Sequence, residues 1–472
     1  MNCRLLNKIF IIIICISFIS SPIFPQLKLS GNQNYGIAAS PAPEILKFNS
    51  DNRQKESKDF LLPAVEVIGI NMGVWFYNKY LTREGWSDIG FNTMKQNLKT
   101  GFQWDNDGFL MNQFAHPYHG SQYYNAARSN GLSFWESALY PYGGSLMWEL
   151  FMENQAPSYN DFVNTPVSGI LIGEVTYRIS DLIIDESKTG IGRILTEAAA
   201  LIVNPTRGFN RLIKGEMWRI GEKKINPPFS LSLSGGSNTI FFGNKKEAKK
   251  TFALARVTFT YGDLMKTEDH KNPFDYFALR SELCFTLDDN ISNSMASGVI
   301  WDKEVNLFNS SKDIIGIYKE LELLINTIYK FTATQATARI TSEFPFENGN
   351  RISINAGISG IFLGGVNSAY SSVEGKDYNL GPGLALGGGI TCKLSERFSA
   401  AMNYKKFWIH TLSGAAGEEF AGYFNTSFNY HFREHSYFGL EFTLYHRHAY
   451  YDKYPSTDSY DTAIRSYYSF AF

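Results

Sequence analysis

Two hydrophobic rhythms divide the chain. Beyond about residue 217 apolar and polar positions alternate. In FNTSFNYHFR, Phe424, Thr426, Phe428, Tyr430 and Phe432 alternate with Asn425, Ser427, Asn429, His431 and Arg433, which sends the two sets to opposite faces of a strand. RFSAAMNYK opposes Phe398, Ala400, Met402 and Tyr404 to Ser399, Ala401, Asn403 and Lys405. FALRSELCFTL opposes Phe277, Leu279, Leu283, Phe285 and Leu287 to Arg280, Glu282, Cys284 and Thr286. Such runs fall at 228–237, 251–262, 274–288, 296–308, 314–328, 334–345, 350–362, 380–394, 397–410, 419–433, 436–448 and 460–472. Their length suits tilted strands crossing a bilayer, and an even count, about twelve, closes an antiparallel barrel with both ends in one compartment. One run, IIGIYKELELLINTIYKF, also fits a helix.

From 63 to 216 the spacing changes to three and four. In PAVEVIGINMGVWFYNKYL, Val65, Ile68, Met72, Trp75, Phe76 and Tyr80 share one helical face. GSLMWELFMEN, FVNTPVSGILIGEVTYRISDLII and GRILTEAAALIV continue the pattern, and Gly169 and Gly173, four apart, leave room for a second helix to approach closely. Residues 26–62 read as a polar flexible linker. At 1–25, basic MNCRLLNK, apolar IFIIIICISFIS and SPIFPQ have the layout of a secretory signal peptide, the apolar core being too short to span a bilayer comfortably. The predicted class is α+β: a helical N-terminal domain at 63–216, then an antiparallel transmembrane β-barrel at 217–472.

The connectors point the same way. FENGN, LSE and REHS are tight, whereas 363–379, 411–418 and 447–459 are long; outer-membrane barrels alternate short periplasmic turns with longer outer loops. In the final SYYSFAF, Tyr468, Phe470 and Phe472 share a face and resemble the terminal aromatic signal read by the barrel insertion machinery. The inward positions collect Arg256, Arg280, Glu282, Arg339, Glu343, Lys393, Lys405, Arg433, Glu441 and Arg447, mixed signs that predict a lumen laced by ion pairs. Cys284 falls inward and Cys392 outward, so they are not expected to pair. A soluble sandwich would bury its apolar faces between two sheets, which does not account for twelve long strands.

Composition adds little. A net charge of -1 names no nucleic acid or acidic partner. Of four cysteines, two lie in the signal segment, and no CxxC or Cys/His zinc spacing occurs. No metal or cofactor is expected.

The runs WDNDGF, NQFAHPYHGSQYYNAARSNG, FWES, GGSLMWE, PSYNDFVNTPVSG, GEVTYRISDLIID and NPTRGFNRLIKGE, within about 64–216, resemble the family called domain of unknown function 3943. The resemblance implies a bacterial envelope protein with a barrel-like C-terminal half and carries over no activity. A looser likeness, through Asp107, His116, Glu149, Glu153, Ser158, Asp161 and Gly169, is to small envelope proteins such as the YfiM-like lipoproteins.

Candidate chemistry is sparse. Glu149 and Glu153, four apart, would share a helical face, and with His116 and Asp161 could bind a divalent metal or act as general acid and base on a lipid. The alternative is that they are buried polar groups holding helices in register through Arg128, Tyr123 or backbone. No HExxH or GxSxG accompanies them. His119 and Ser121 define no triad; Pro117 and Gly120 instead suggest that HPYHG is a kink or turn, with His119 solvent-facing or capping. Arg128, Arg207 and Arg211 could meet lipid phosphates, or Arg207 and Arg211 could cap carbonyls at the joint to the barrel.

Two readings stay open. One is a non-enzymatic outer-membrane barrel whose helical domain caps the periplasmic mouth, as a plug or docking domain for lipid or a periplasmic partner. The other is a lipid-modifying hydrolase using the His/Glu/Asp cluster. Pore conduction ranks below both.

Overall fold

The computed structural model describes residues 58–243, 248–346, 349–373 and 375–472. The expected signal peptide and most of the expected linker lie outside the described residues. By their contacts these residues fall into two units, 58–105 with 114–226, and 106–113 with 227–472.

The first unit is helical: α1 (Leu61–Phe76), α2 (Phe91–Thr100), α3 (His116–Arg128), α4 (Phe134–Ser137), α5 (Leu139–Phe151), α6 (Tyr159–Ile183), α7 (Gly190–Val203) and α8 (Pro205–Ile213). Local sequence sets the starts. Ser133 and Glu136 form a capping box at α4, and the Asn204 carbonyl oxygen of the side chain accepts the Arg207 amide at 3.0 Å ahead of Pro205, which opens α8. The central contact is α3 on α6, made close by glycines as their spacing predicts. A Cβ on Gly169 would stand 2.6 Å from the Gly120 carbonyl carbon, and one on Gly173 2.6 Å from the Tyr124 ring. The unit therefore packs backbone against backbone at its centre.

The apolar stripe of α1 has an unexpected orientation. Val65, Ile68, Met72, Phe76 and Tyr80 are exposed, while Val67 and Asn71 are buried. Asn71 donates to the Gly144 carbonyl at 3.1 Å and accepts from the Tyr123 hydroxyl. Periodicity located the stripe correctly, but it faces away from the core.

The second unit is a closed antiparallel barrel of twelve strands among the described residues. These are β1 (Phe229–Phe242), β2 (Lys249–Tyr261), β3 (Phe277–Phe285), β4 (Asn290–Val305), β5 (Lys312–Ile325), β6 (Lys330–Pro345), β7 (Arg351–Val366), β8 (Asn379–Lys393), β9 (Phe398–His410), β10 (Gly417–Arg433), β11 (Ser436–Tyr451) and β12 (Thr457–Ala471). The ambiguous run at 314–328 is strand, because its alternation pairs with β4 and β6 on both sides. β1 pairs with β12, so no edge is left unpaired. The tight links FENGN, LSE and REHS join strands at one end of the barrel, and the segment 262–276, at that same end, is among the longest connectors.

Outward positions are mostly apolar, including Phe428, Leu440, Phe442, Ile464, Tyr468 and Phe470, with Lys319 and Lys406 among the exceptions. Inward positions hold the charges. Arg465 is buried and donates to Glu282 at 2.9 Å, Glu441 at 3.1 Å, Thr443 at 2.7 Å and Tyr445 at 2.6 Å. Arg256 lies directly opposite Glu282 on β3 and also reaches Glu441 at 3.1 Å. Lys405 pairs with Glu320 at 3.0 Å and with Glu322. Side chains also meet across the lumen: the Tyr423 hydroxyl of β10 is 3.6 Å from Met295 Sδ on β4, six strands away, and Tyr329 donates to the Gly422 carbonyl at 3.1 Å. Cys284 is buried inside, Cys392 lies on an outward position, and both are free. Within this unit the Phe109 amide donates to Asp377 at 2.9 Å and the Phe109 ring meets Tyr378 edge-on.

Candidate functional site

The sequence candidates gather in the helical unit around the start of α6. Ser158 caps that helix, its hydroxyl accepting the Asp161 amide at 3.1 Å, which sets Asp161 in the first turn. Glu149, in the last turn of α5, is buried and accepts the Ser158 amide at 2.7 Å. His116, at the head of α3, brings Nε2 to 3.8 Å from Asp161 Oδ2. Asp105 completes the cluster by hydrogen-bonding Asp161 and accepting from Asn160 Nδ2 at 2.9 Å.

Glu153 departs from expectation. α5 ends at Phe151, so Glu153 lies beyond the helix and does not share a helical face with Glu149. Its charge still acts there. Burial, and after it the repulsion of Glu153, pushes Glu149 up to about 8, with His116 opposing. Burial also pushes Asp161 well above the usual carboxylate range; His116 opposes this and the hydrogen bond to Asp105 reinforces it. A carboxylic acid that keeps its proton near neutrality can donate a hydrogen bond or serve as a general acid. Among the described residues no group of three or more His, Cys, Asp or Glu side chains is arranged to hold a metal ion.

HPYHG is helix, not a turn. His116 opens α3 directly after a π-helical segment at Met111–Ala115, and Pro117 sits in the first turn, where its missing N–H costs nothing. Gly120 is the point of closest approach to α6 and faces Thr165. His119 is neither solvent-facing nor a cap. It lies against Tyr123 and Trp148, and burial, with His116 adding like charge, lowers it to about 3.

Arg128, Arg207 and Arg211 have partners within their own unit. Arg128 Nε donates to Glu174 at 2.8 Å, and Arg178 Nε and the Tyr124 hydroxyl reach the same carboxylate at 2.7 Å each. Burial would raise Glu174, but Arg128 and Arg178 more than offset it and hold it below the usual range. Arg207 donates to the Tyr177 carbonyl at 2.9 Å and Asp181 at 2.7 Å. Arg211 donates to Glu197 at 2.9 Å, Glu186 at 3.0 Å and the Glu216 carbonyl at 3.1 Å. Glu174 escaped singling out as a sequence candidate. Its signal is present in GILIGEVTYRIS, where Glu174 and Arg178 place opposite charges four apart in an apolar helix and so require burial with partners.

Two of the barrel's concavities bear on its role. An inner cavity of about 420 Å³ is walled by the ion pairs, including Arg280, Glu320, Lys405 and Arg465. An outer groove of about 940 Å³, lined by Ile354, Ile358, Leu386, Met402 and Tyr404, lies where Gly387, Gly388 and Gly389 leave the wall without side chains. Its apolar lining and outward position make it part of the lipid-facing surface.

A closed antiparallel barrel with an apolar exterior and a polar, ion-paired interior defines the class: a β-barrel protein of the bacterial outer membrane. Residues 101–206 match the family model described as Domain of unknown function (DUF3943), the family whose motifs they resemble. No curated protein matches the chain. Among solved structures, the chain is similar to OmpT, an outer membrane protein of Vibrio cholerae, at 9% identity and a TM-score of 0.25, covering 52% of this chain and 97% of that one. It is also similar to an outer membrane channel from Pseudomonas putida F1 (8% identity, TM-score 0.29, 53% and 97% covered) and an anion-selective porin from Comamonas acidovorans (6%, 0.23, 52% and 99%). At such identities and scores the likeness does not extend to what those proteins conduct.

Proposed function

We propose that the barrel is an anchor and not a conduit, and that the helical unit is the working part, a docking domain for envelope or lipid partners. The contact between Tyr423 and Met295 across the lumen carries this reading. Walls that touch through their side chains, backed by the buried Arg465 network, form a packed core in place of a water-filled channel. The test is reconstitution of the full chain in a planar lipid bilayer. A silent membrane is expected; reproducible stepwise ion currents from folded protein would overturn the reading.

A second reading, lipid hydrolysis, draws on one observation: Glu149, protonated up to about 8, stands in the same cluster as His116 and Asp161. Lipid analysis of envelopes carrying wild type, His116→Ala or Glu149→Gln at equal folded levels separates the two. A lipid species that changes with the wild type alone would establish the hydrolase.

A further inference from the structure

Four helices around the α3–α6 centre of the helical unit depart from the usual order of burial. On α7, Ile194 is 51% exposed while Arg193 and Glu197 are 5% and 1% exposed. On α8, Phe209 and Leu212 face out while Asn210 and Arg211 are buried; on α1, Ile68 and Met72 face out while Asn71 is buried. On α5, Leu139 and Leu146 face out while Glu149 is buried. On α7 and α8 the inward charges are paired, Arg193 with Glu197 at 2.8 Å and Arg211 with Glu197 at 2.9 Å.

We infer that this apolar shell is a lipid-docking surface, immersed in the hydrocarbon of one membrane leaflet. A protein partner covers one patch, commonly about 800 Å² per side, and leaves the rest of a domain with its ordinary polar exterior. Here four helices have turned apolar side chains out and polar or charged ones in, the arrangement that an apolar surrounding medium requires. The medium is at hand, since residues 219–228 join the last helical turn, at Trp218, to Phe229 of a membrane-spanning barrel. Among the described residues no helix is long and apolar enough to cross a membrane, so the surface docks in the manner of interfacial helices and does not span. The inference rests on the barrel being in the bilayer and names lipid as the partner of the docking domain.

The experiment uses the full chain with its cysteines replaced, carrying one new cysteine at Ile68, Ile194 or Phe209. Asp288→Cys, in the turn between β3 and β4, reports on water, and Leu440→Cys, outward on β11, reports on lipid. Each is labelled with bimane and refolded into phosphatidylethanolamine/phosphatidylglycerol vesicles, folding being verified by the gel shift of the unheated barrel. The three helical positions are expected to be quenched by brominated acyl chains at least half as strongly as Leu440→Cys. Weaker quenching at all three, with Leu440→Cys quenched, overturns the inference and leaves the anchor reading standing. An unquenched Leu440→Cys overturns both.

Discussion

Gly169 of α6 lies so close to Gly120 of α3 that a Cβ on Gly169 would stand 2.6 Å from the Gly120 carbonyl carbon. Backbone meets backbone here, with nothing flexible to yield. Gly169→Val is therefore expected to separate the two helices and to cost at least the 1–3 kcal/mol or so typical of overpacking. Protease resistance of the helical unit in the full chain should fall, while Gly69→Ala, which meets nothing within 4 Å, should leave it unchanged or slightly raised.

Arg465 answers two carboxylates, Glu282 and Glu441, inside the barrel. Arg465→Leu would remove four buried hydrogen bonds, to Glu282, Glu441, Thr443 and Tyr445, while Arg256 and Arg280 still face the two carboxylates, so a loss of about 1–3 kcal/mol is expected. The urea midpoint of barrel unfolding in detergent, followed by gel mobility, should drop accordingly. A midpoint equal to wild type would mean that the network contributes nothing to stability.

The pH dependence of the helical unit should have two opposed parts. Glu149 is raised from 4.5 to about 8, so its contribution is fully present below 4.5 and is lost as pH rises through about 8, by at most about 1.4 kcal/mol per pH unit. His119 is lowered from 6.5 to about 3, so its contribution is present above 6.5 and is lost as pH falls towards 3. Hydrogen exchange of α5, with rates corrected for intrinsic pH effects, should show protection falling between about pH 5 and 8 in wild type and a flatter profile in Glu149→Gln.

The two barrel cysteines should differ in reactivity. Cys392 is partly accessible on an outward position and Cys284 is buried in the lumen. In mild detergent a small maleimide should modify Cys392 and leave Cys284 intact until the barrel is unfolded, which mass spectrometry of the two peptides would read directly.

The strands were legible in the sequence because a barrel wall separates two different media, and a period of two records that difference at every residue, as in Phe424 to Arg433. The helices were legible for the same kind of reason, and the four-residue spacing of Gly169 and Gly173 announced a close crossing that the structure contains. The candidate site was only partly legible. His116, Glu149 and Asp161 do converge, but Asp105 joins them from outside the chosen set, and Glu153 falls beyond the end of its helix.

By itself, then, the sequence determined that this protein has strands of membrane length and helices with two unlike faces. Only the tertiary structure decided which helical face turns inward and which charge meets which. The stripe of Ile68 and Met72 reads the same whether it meets a core or an outside medium, because periodicity reports that two faces differ and not what each one touches. Arg128 and Glu174, 46 residues apart, become partners only when α3 and α6 cross. The spacing of Gly169 and Gly173 announced that some helix would cross closely there, and packing in three dimensions decided that it is α3.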